Sequence, residues 1–294
     1  MSNYLKTEGL LLLSPHLVSK VWGGQRFGKG IGETWEISSL EQGPSLFNET
    51  PLNEICAELS YLVKYIDTQD NLSVQVHPDD EYALRVENQR GKTECWLVLE
   101  AEPKAGLYLG LRPGVDKTTL TQSIHSQEDV SKLLNFVPVK AGDFFVIPAG
   151  TIHAIGKGVF LAEVQQSSGL TYRVWDWNRG GRELHIQKAM DVIEFSPEKN
   201  NLEYFRYREN VLDSNGVLFS HADFTLGLYS WARGEQKKIE AINRPVGIVC
   251  LKGSLEVFQR GQTQNINKGE SLLINKKEAF LIKASDESKF LLIS

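Results

Sequence analysis

The run Gly142-Asp-Phe-Phe-Val-Ile-Pro148-Ala-Gly150-Thr-Ile-His153 constrains this chain more than any other feature. Its apolar stretch reads as a strand that rises into a Pro-x-Gly turn, since proline removes a ladder donor and glycine accepts a positive φ. The turn hands a histidine to the next strand, and a strand aims alternate side chains inward, here into a barrel interior. That is how a metal ligand is mounted. Upstream, Gln75-Val-His77 puts an amide and a second imidazole on one strand face, and Glu94 adds a carboxylate from another strand-like segment. A single buried histidine is more often a hydrogen-bonded core residue than a ligand. Two imidazoles, a carboxylate and an amide oxygen together describe a place for a divalent ion.

The spacing of Gly142, Pro148, Gly150 and His153 resembles the second sequence motif of the cupin superfamily, whose metal sits inside a small β-barrel, although Lys157 stands where an asparagine is usual. The first cupin motif is altered, because Gln75-x-His77 is separated from Glu94 by an insertion. With that alteration, Leu72-Ser-Val-Gln-Val-His-Pro-Asp79, Lys92-Thr-Glu94 and Ala149-Gly-Thr-Ile-His-Ala154 resemble the type I mannose-6-phosphate isomerases, in particular their shorter bacterial form. The motifs lie in the family's order over a stretch from about Trp22 to Arg179.

The resemblance implies a mainly β chain of two cupin-like jelly-roll barrels with short helical insertions. It implies one zinc ion held by Gln75, His77, Glu94 and His153, and a small sugar phosphate as substrate. The donor types alone suit zinc, iron, manganese or nickel; zinc performs Lewis-acid chemistry, whereas iron in the same cage would bind oxygen. An iron-dependent dioxygenase and a non-catalytic sugar-phosphate binder are therefore the rivals. Lys64, Ser73, Lys92 and Arg173 match polar active-site positions of the family. Arg173, Glu163 and Lys92 are expected to be catalytic, and Lys64, Ser73 and Trp22 to bind substrate. Trp35 and Tyr172 are further candidates for walls of the sugar pocket. Two departures bear on the proton-transfer base: Gly169 stands where many relatives have aspartate, and Ile155 where longer members have tyrosine. Glu163 ranks first for that role, ahead of a metal-bound hydroxide and His185. Arg173 pairing with Asp176, or stacking among Trp175 and Trp177, is the structural alternative to its catalytic role.

The chain has 294 residues, enough for one large or two modest cores, with the 41% apolar and 23% charged residues of an ordinary globular protein. A formal charge of −5 argues against a nucleic-acid surface, so an anionic substrate needs locally placed cations. The cysteines Cys56, Cys95 and Cys250 are scattered and odd in number, which suits a reducing cytoplasm better than a disulfide framework. No stretch reads as a membrane span or targeting signal.

Short strands are expected over Leu10–Leu13, Thr34–Ser38, Tyr61–Ile66 and Leu72–His77, with glycine turns at 23–24 and 28–32. Pro78-Asp-Asp-Glu81 starts a helix reaching about Asn88, and residues 116–135 read as a helical insertion carrying a surface His125. Residues 1–200 are expected to form the metal-binding catalytic domain, and 201–294 a degenerate, metal-free jelly roll. Lys268-Gly269-Glu-Ser-Leu-Leu-Ile-Asn275 echoes the segment around Gly142, but it places Phe280 where His153 stands.

Overall fold

The computed structural model describes residues 8–57 and 59–294. The chain is mainly β, as expected, and every pairing given between its strands is antiparallel. It divides into two compact units. One comprises the chain up to Leu17, Thr34–Lys64 and Val211–Ser294; the other comprises Val18–Glu33 and Tyr65–Asn210. The expected single boundary near residue 200 thus becomes an interleaved one.

The unit holding residues 65–210 is built on a five-stranded sheet in the order Leu134–Pro138, Gly106–Leu111, His153–Ile155, Val74–Val76, Tyr172–Trp175. The alternation of side chains on these strands sorts two environments. Val74, Val76, Ala154, Tyr172 and Val174 face one way and pack with Leu120, Ile124, Ala189 and Met190 of the helices Lys117–His125 and Ile186–Val192. Leu107, Leu109 and Ile155 face the other way and share a core with Trp96, Val98, Phe145, Ile147 and Leu161. Those residues belong to a second sheet containing the strands Phe144–Ile147, Glu94–Ala101 and Val159–Gln166. Gln75, His153 and Arg173, one step from the helix-facing residues, therefore point between the sheets.

The local chemistry explains the helices. Asp79 caps Asp80–Glu87 by accepting from the Tyr82 amide at 2.8 Å, Asp80 and Glu81 sit at the positive end of the dipole, and Asn88 ends the helix in the left-handed region. Asp116 caps Lys117–His125 in the same way, and His125 is exposed. The expected turn at Gly23-Gly24 is instead the end of a strand, His16–Gly24. A Cβ at Gly23 would lie 2.4 Å from the Gly30 carbonyl, so that glycine serves close backbone approach.

The other unit has a sheet ordered Leu10–Leu13, Ser271–Ile274, Val246–Lys252, Ser288–Ile293, Thr225–Trp231, Gly216–Ser220, and a four-stranded sheet of Gln236–Ile239, Phe280–Ala284, Ser254–Gln259 and Gln262–Asn267. Ile248, Leu272 and Ile274 from the first meet Leu255, Val257, Phe280 and Ile282 from the second in one core. Among the described residues, no helix is long and apolar enough to cross a membrane.

Candidate metal centre

His153 reaches the interior because of the turn before it. Gly150 has φ +85° and donates its amide to the His77 carbonyl at 2.8 Å, tying the two histidine-bearing segments together. A side chain there would be strained and would meet the Val192 carbonyl at 3.0 Å. Strand register does the rest: His153 pairs with Gln75, and Gln75 with Arg173, so three neighbouring strands carry the three residues in one row. From the second sheet, Glu94 pairs with Gln165, and Glu163 with Trp96.

The potential ligand atoms of His77, Glu94 and His153 all lie within 4.8 Å of one another, and all three residues are buried. Glu94 presents Oε1 to His153 Nε2 at 3.3 Å and Oε2 to His77 Nε2 at 3.6 Å. Each imidazole donates its Nδ1–H to a main-chain carbonyl at 2.9 Å, His153 to Thr151 and His77 to Leu170. That leaves both Nε2 lone pairs aimed at the same carboxylate, the tautomer and orientation of a metal-bound histidine. Burial lowers the His153 pKa to about 4, with Lys92 assisting and the Thr151 bond opposing, so the ring is neutral near pH 7, the state a metal ligand requires. Gln75 Nε2 donates to His153 Nε2 at 3.2 Å, and a half-turn of the amide would present its oxygen instead.

Lone pairs crowded this way call for a cation, and one is already beside them. Lys92 Nζ donates to Glu94 Oε2 at 2.7 Å and to His77 Nε2 at 3.1 Å. Neutral nitrogens, a carboxylate and an amide oxygen, without thiolate, fit a divalent ion such as zinc.

Around this cluster, Glu163 accepts from the Trp96 indole N–H at 3.0 Å through Oε2, while Oε1 lies 3.9 Å from Lys92 Nζ. Arg173 donates to Ser73 Oγ at 3.4 Å and to the Glu183 carbonyl at 2.7 Å; its main-chain N–H donates to His185 Nδ1 at 3.1 Å. Asp176 is engaged by Arg179 and Arg182 instead. Lys64 belongs to the other unit, where its ammonium stands 5.1 Å from the centre of the Trp35 ring.

Two aromatic candidates are committed elsewhere. Trp22 is 3% exposed in the apolar core with Ile66 and Leu72. Tyr172 faces the helices and donates its hydroxyl to Glu87 at 2.8 Å. Sequence reasoning passed over Trp96, which orients Glu163 and stacks edge-on against His153 at 5.2 Å, because an indole inside a strand looks like plain core.

No family model matches the chain. It is 38% identical over 252 residues to a mannose-6-phosphate isomerase of Streptococcus mutans, covering 75% of this chain and 78% of that one. It is 36% identical over 253 residues to a mannose-6-phosphate isomerase of Bacillus subtilis, covering 75% and 79%. A crystal structure of mannose 6-phosphate isomerase from Bacillus subtilis superposes with a TM-score of 0.82 at 25% identity, covering 98% of this chain and all of that one.

Proposed function

Since the chain belongs to the type I mannose-6-phosphate isomerase family, we propose that it interconverts mannose 6-phosphate and fructose 6-phosphate, an aldose–ketose isomerisation through an enediol. The observation that carries this reading is the row His153–Gln75–Arg173, which sets a fixed cation beside the His77–Glu94–His153 cluster. We assign one zinc ion to Gln75, His77, Glu94 and His153. When bound, it supplies Lewis-acid stabilisation of the charge that develops on the two adjacent sugar oxygens.

The chain's own groups do the rest. Arg173, a permanent cation held by Ser73 and Glu183, meets an anionic oxygen of the substrate, either enediolate or phosphate. Ser73 is assigned to the sugar phosphate, and Lys92 to the charge beside Glu94. Glu163 moves the proton between the two carbons from Oε1, since Trp96 holds Oε2. Trp22 is left out of the sugar pocket. Catalysis is assigned to the unit that carries residues 65–210; the other unit, with Phe280 at the position that echoes His153, is assigned a structural role. Three buried cysteines, all free thiols, support a cytoplasmic setting.

The test is an assay on mannose 6-phosphate with the intact and the chelator-treated protein. Loss of turnover on chelation and recovery with zinc are expected; turnover that persists without metal refutes the assignment. Oxygen consumption with bound iron would indicate the dioxygenase rival, and sugar-phosphate binding without isomerisation the non-catalytic one.

A further inference from the structure

The segment that follows Arg173 is pinned far more heavily than a surface loop needs. Asp176 is 6% exposed and accepts from Arg179 Nη2 at 2.6 Å and Arg182 Nε at 2.8 Å, with a further short bond from Arg182 Nη2. Arg179 also reaches the Asn71 carbonyl at 2.8 Å and Asp70 Oδ2 at 3.3 Å, fastening the loop to the turn that leads into Ser73 and Gln75. Between these anchors, Trp177 and Asn178 have φ of +54° and +55°. A bulky aromatic in the left-handed region is strained and persists only where its surroundings impose it. Here the Trp177 indole donates to the Leu72 carbonyl at 2.5 Å, and the Trp175 indole donates to Asn178 Oδ1 at 3.0 Å.

The loop ends on the candidate catalytic arginine. Its residue Glu183 supplies the carbonyl that takes Arg173 Nη1, and His185 donates its main-chain N–H to the Arg173 carbonyl at 2.8 Å while its Nδ1 accepts from the Arg173 amide. The top of the loop, Gly180 and Gly181, has positive φ at both positions and no atom within 4 Å of an added Cβ. Beside it lies a cavity of about 440 Å³ that includes Trp175, Asp176, Arg182 and Leu184 in its lining. With two glycines at the tip and space alongside, the loop has somewhere to go once its anchor is lost.

We propose that Asp176 is a positioning residue: by clamping Arg179 and Arg182 it holds the 177–185 loop closed and thereby seats the Arg173 guanidinium against Glu183 and Ser73. This rests on the isomerase reading for its catalytic consequence, but the clamp itself can be tested without it. Removing the carboxylate takes from Arg182 both of its bonds to Asp176 and leaves Arg179 its contacts to Asn71 and Asp70, so the loop loses the anchor that the two arginines share.

The experiment compares wild type, Asp176→Asn, Arg173→Ala and the double variant. Trypsin cleavage after Arg179 or Arg182, followed by mass spectrometry on folded protein, is expected to be on the order of ten-fold faster in Asp176→Asn, because local opening exposes the bond. Turnover on mannose 6-phosphate is expected to fall roughly 10- to 100-fold, the range of a small misplacement of a catalytic group, with metal content unchanged and no further loss in the Arg173→Ala background. Unchanged cleavage overturns the clamp. An equal loss of turnover in the Arg173→Ala background overturns its action through Arg173. If Asp176→Asn does not fold, Arg179→Ala read by cleavage after Arg182, and Arg182→Ala read by cleavage after Arg179, carry the same comparison. Inactive wild type would count against the isomerase reading, while the cleavage rates would still decide the clamp.

Discussion

Two segments of this molecule share a backbone plan and differ in chemistry. In residues 142–155 a glycine at φ +92° opens the strand Phe144–Ile147, and His153 begins the next strand. In residues 269–284 a glycine at φ +86° opens Ser271–Ile274, and Phe280 begins the next strand. The two residues stand at equivalent places and both are buried. His153 meets Gln75, Glu94 and the Thr151 carbonyl, whereas Phe280 packs in a core with Leu272, Val257 and Ile282. The strand–turn–strand plan mounts a side chain inward; what that side chain meets decides whether the position is a site or a core.

The strongest way to break this comparison is to exchange the roles by mutation. His153→Ala is expected to lower metal affinity and to reduce turnover by at least roughly two to three orders of magnitude, checked by elemental analysis and the isomerase assay. Phe280→Ala should leave metal content alone and instead cost about 3–5 kcal/mol of stability through its cavity, read by denaturant unfolding. Metal lost from Phe280→Ala but kept by His153→Ala would invert the reading.

Arg173→Ala sharpens the picture of the candidate metal site, because Arg173 shares the row of Gln75 without belonging to the His77–Glu94–His153 cluster. Turnover is expected to fall by roughly 100-fold or more with metal retained. Unchanged kinetics would remove it from the catalytic set.

Buried carboxylates extend the contrast. Glu94 faces two imidazoles and Lys92, whereas Glu36, in the other unit, accepts from Thr34 Oγ1 at 2.6 Å and Ser271 Oγ at 2.9 Å. Burial raises the Glu36 pKa from 4.5 to about 7, against those two hydrogen bonds. A folded-state pKa above the unfolded one means that the native state holds the proton. The stability is therefore complete below about pH 4.5 and is lost as pH rises through 7, by roughly 3 kcal/mol at most. Glu36→Gln should flatten that slope in unfolding measured across this range; an unchanged slope would assign it to other groups.

Much of the metal cluster was legible in the chain, for a physical reason. The candidate ligands occupy positions where strand alternation and a Pro-x-Gly turn leave little choice of direction, and His77, Glu94 and His153 do converge. The helix over Asp80–Glu87 was likewise announced by Pro78 and the carboxylates after it, and Lys117–His125 by its apolar spacing, with Asp79 and Asp116 as the caps that the fold then supplies. The strand His16–Gly24 was hidden by glycines whose purpose is close approach, and the helix Ile186–Val192 by its brevity and lack of a capping side chain. Trp22 shows a further limit, since an aromatic near a site and an aromatic in a core look the same in one dimension. The Asp176 clamp was obscured because the chain offers Arg173 as a partner for Asp176, and only the fold gives that buried carboxylate to Arg179 and Arg182 instead.

The most direct test of the central claim is to add zinc in known equivalents to metal-free protein while following mannose 6-phosphate isomerisation. Activity that climbs from near zero and saturates at one equivalent per chain is the expected result. Full activity before any zinc is added, or saturation with none gained, would contradict it.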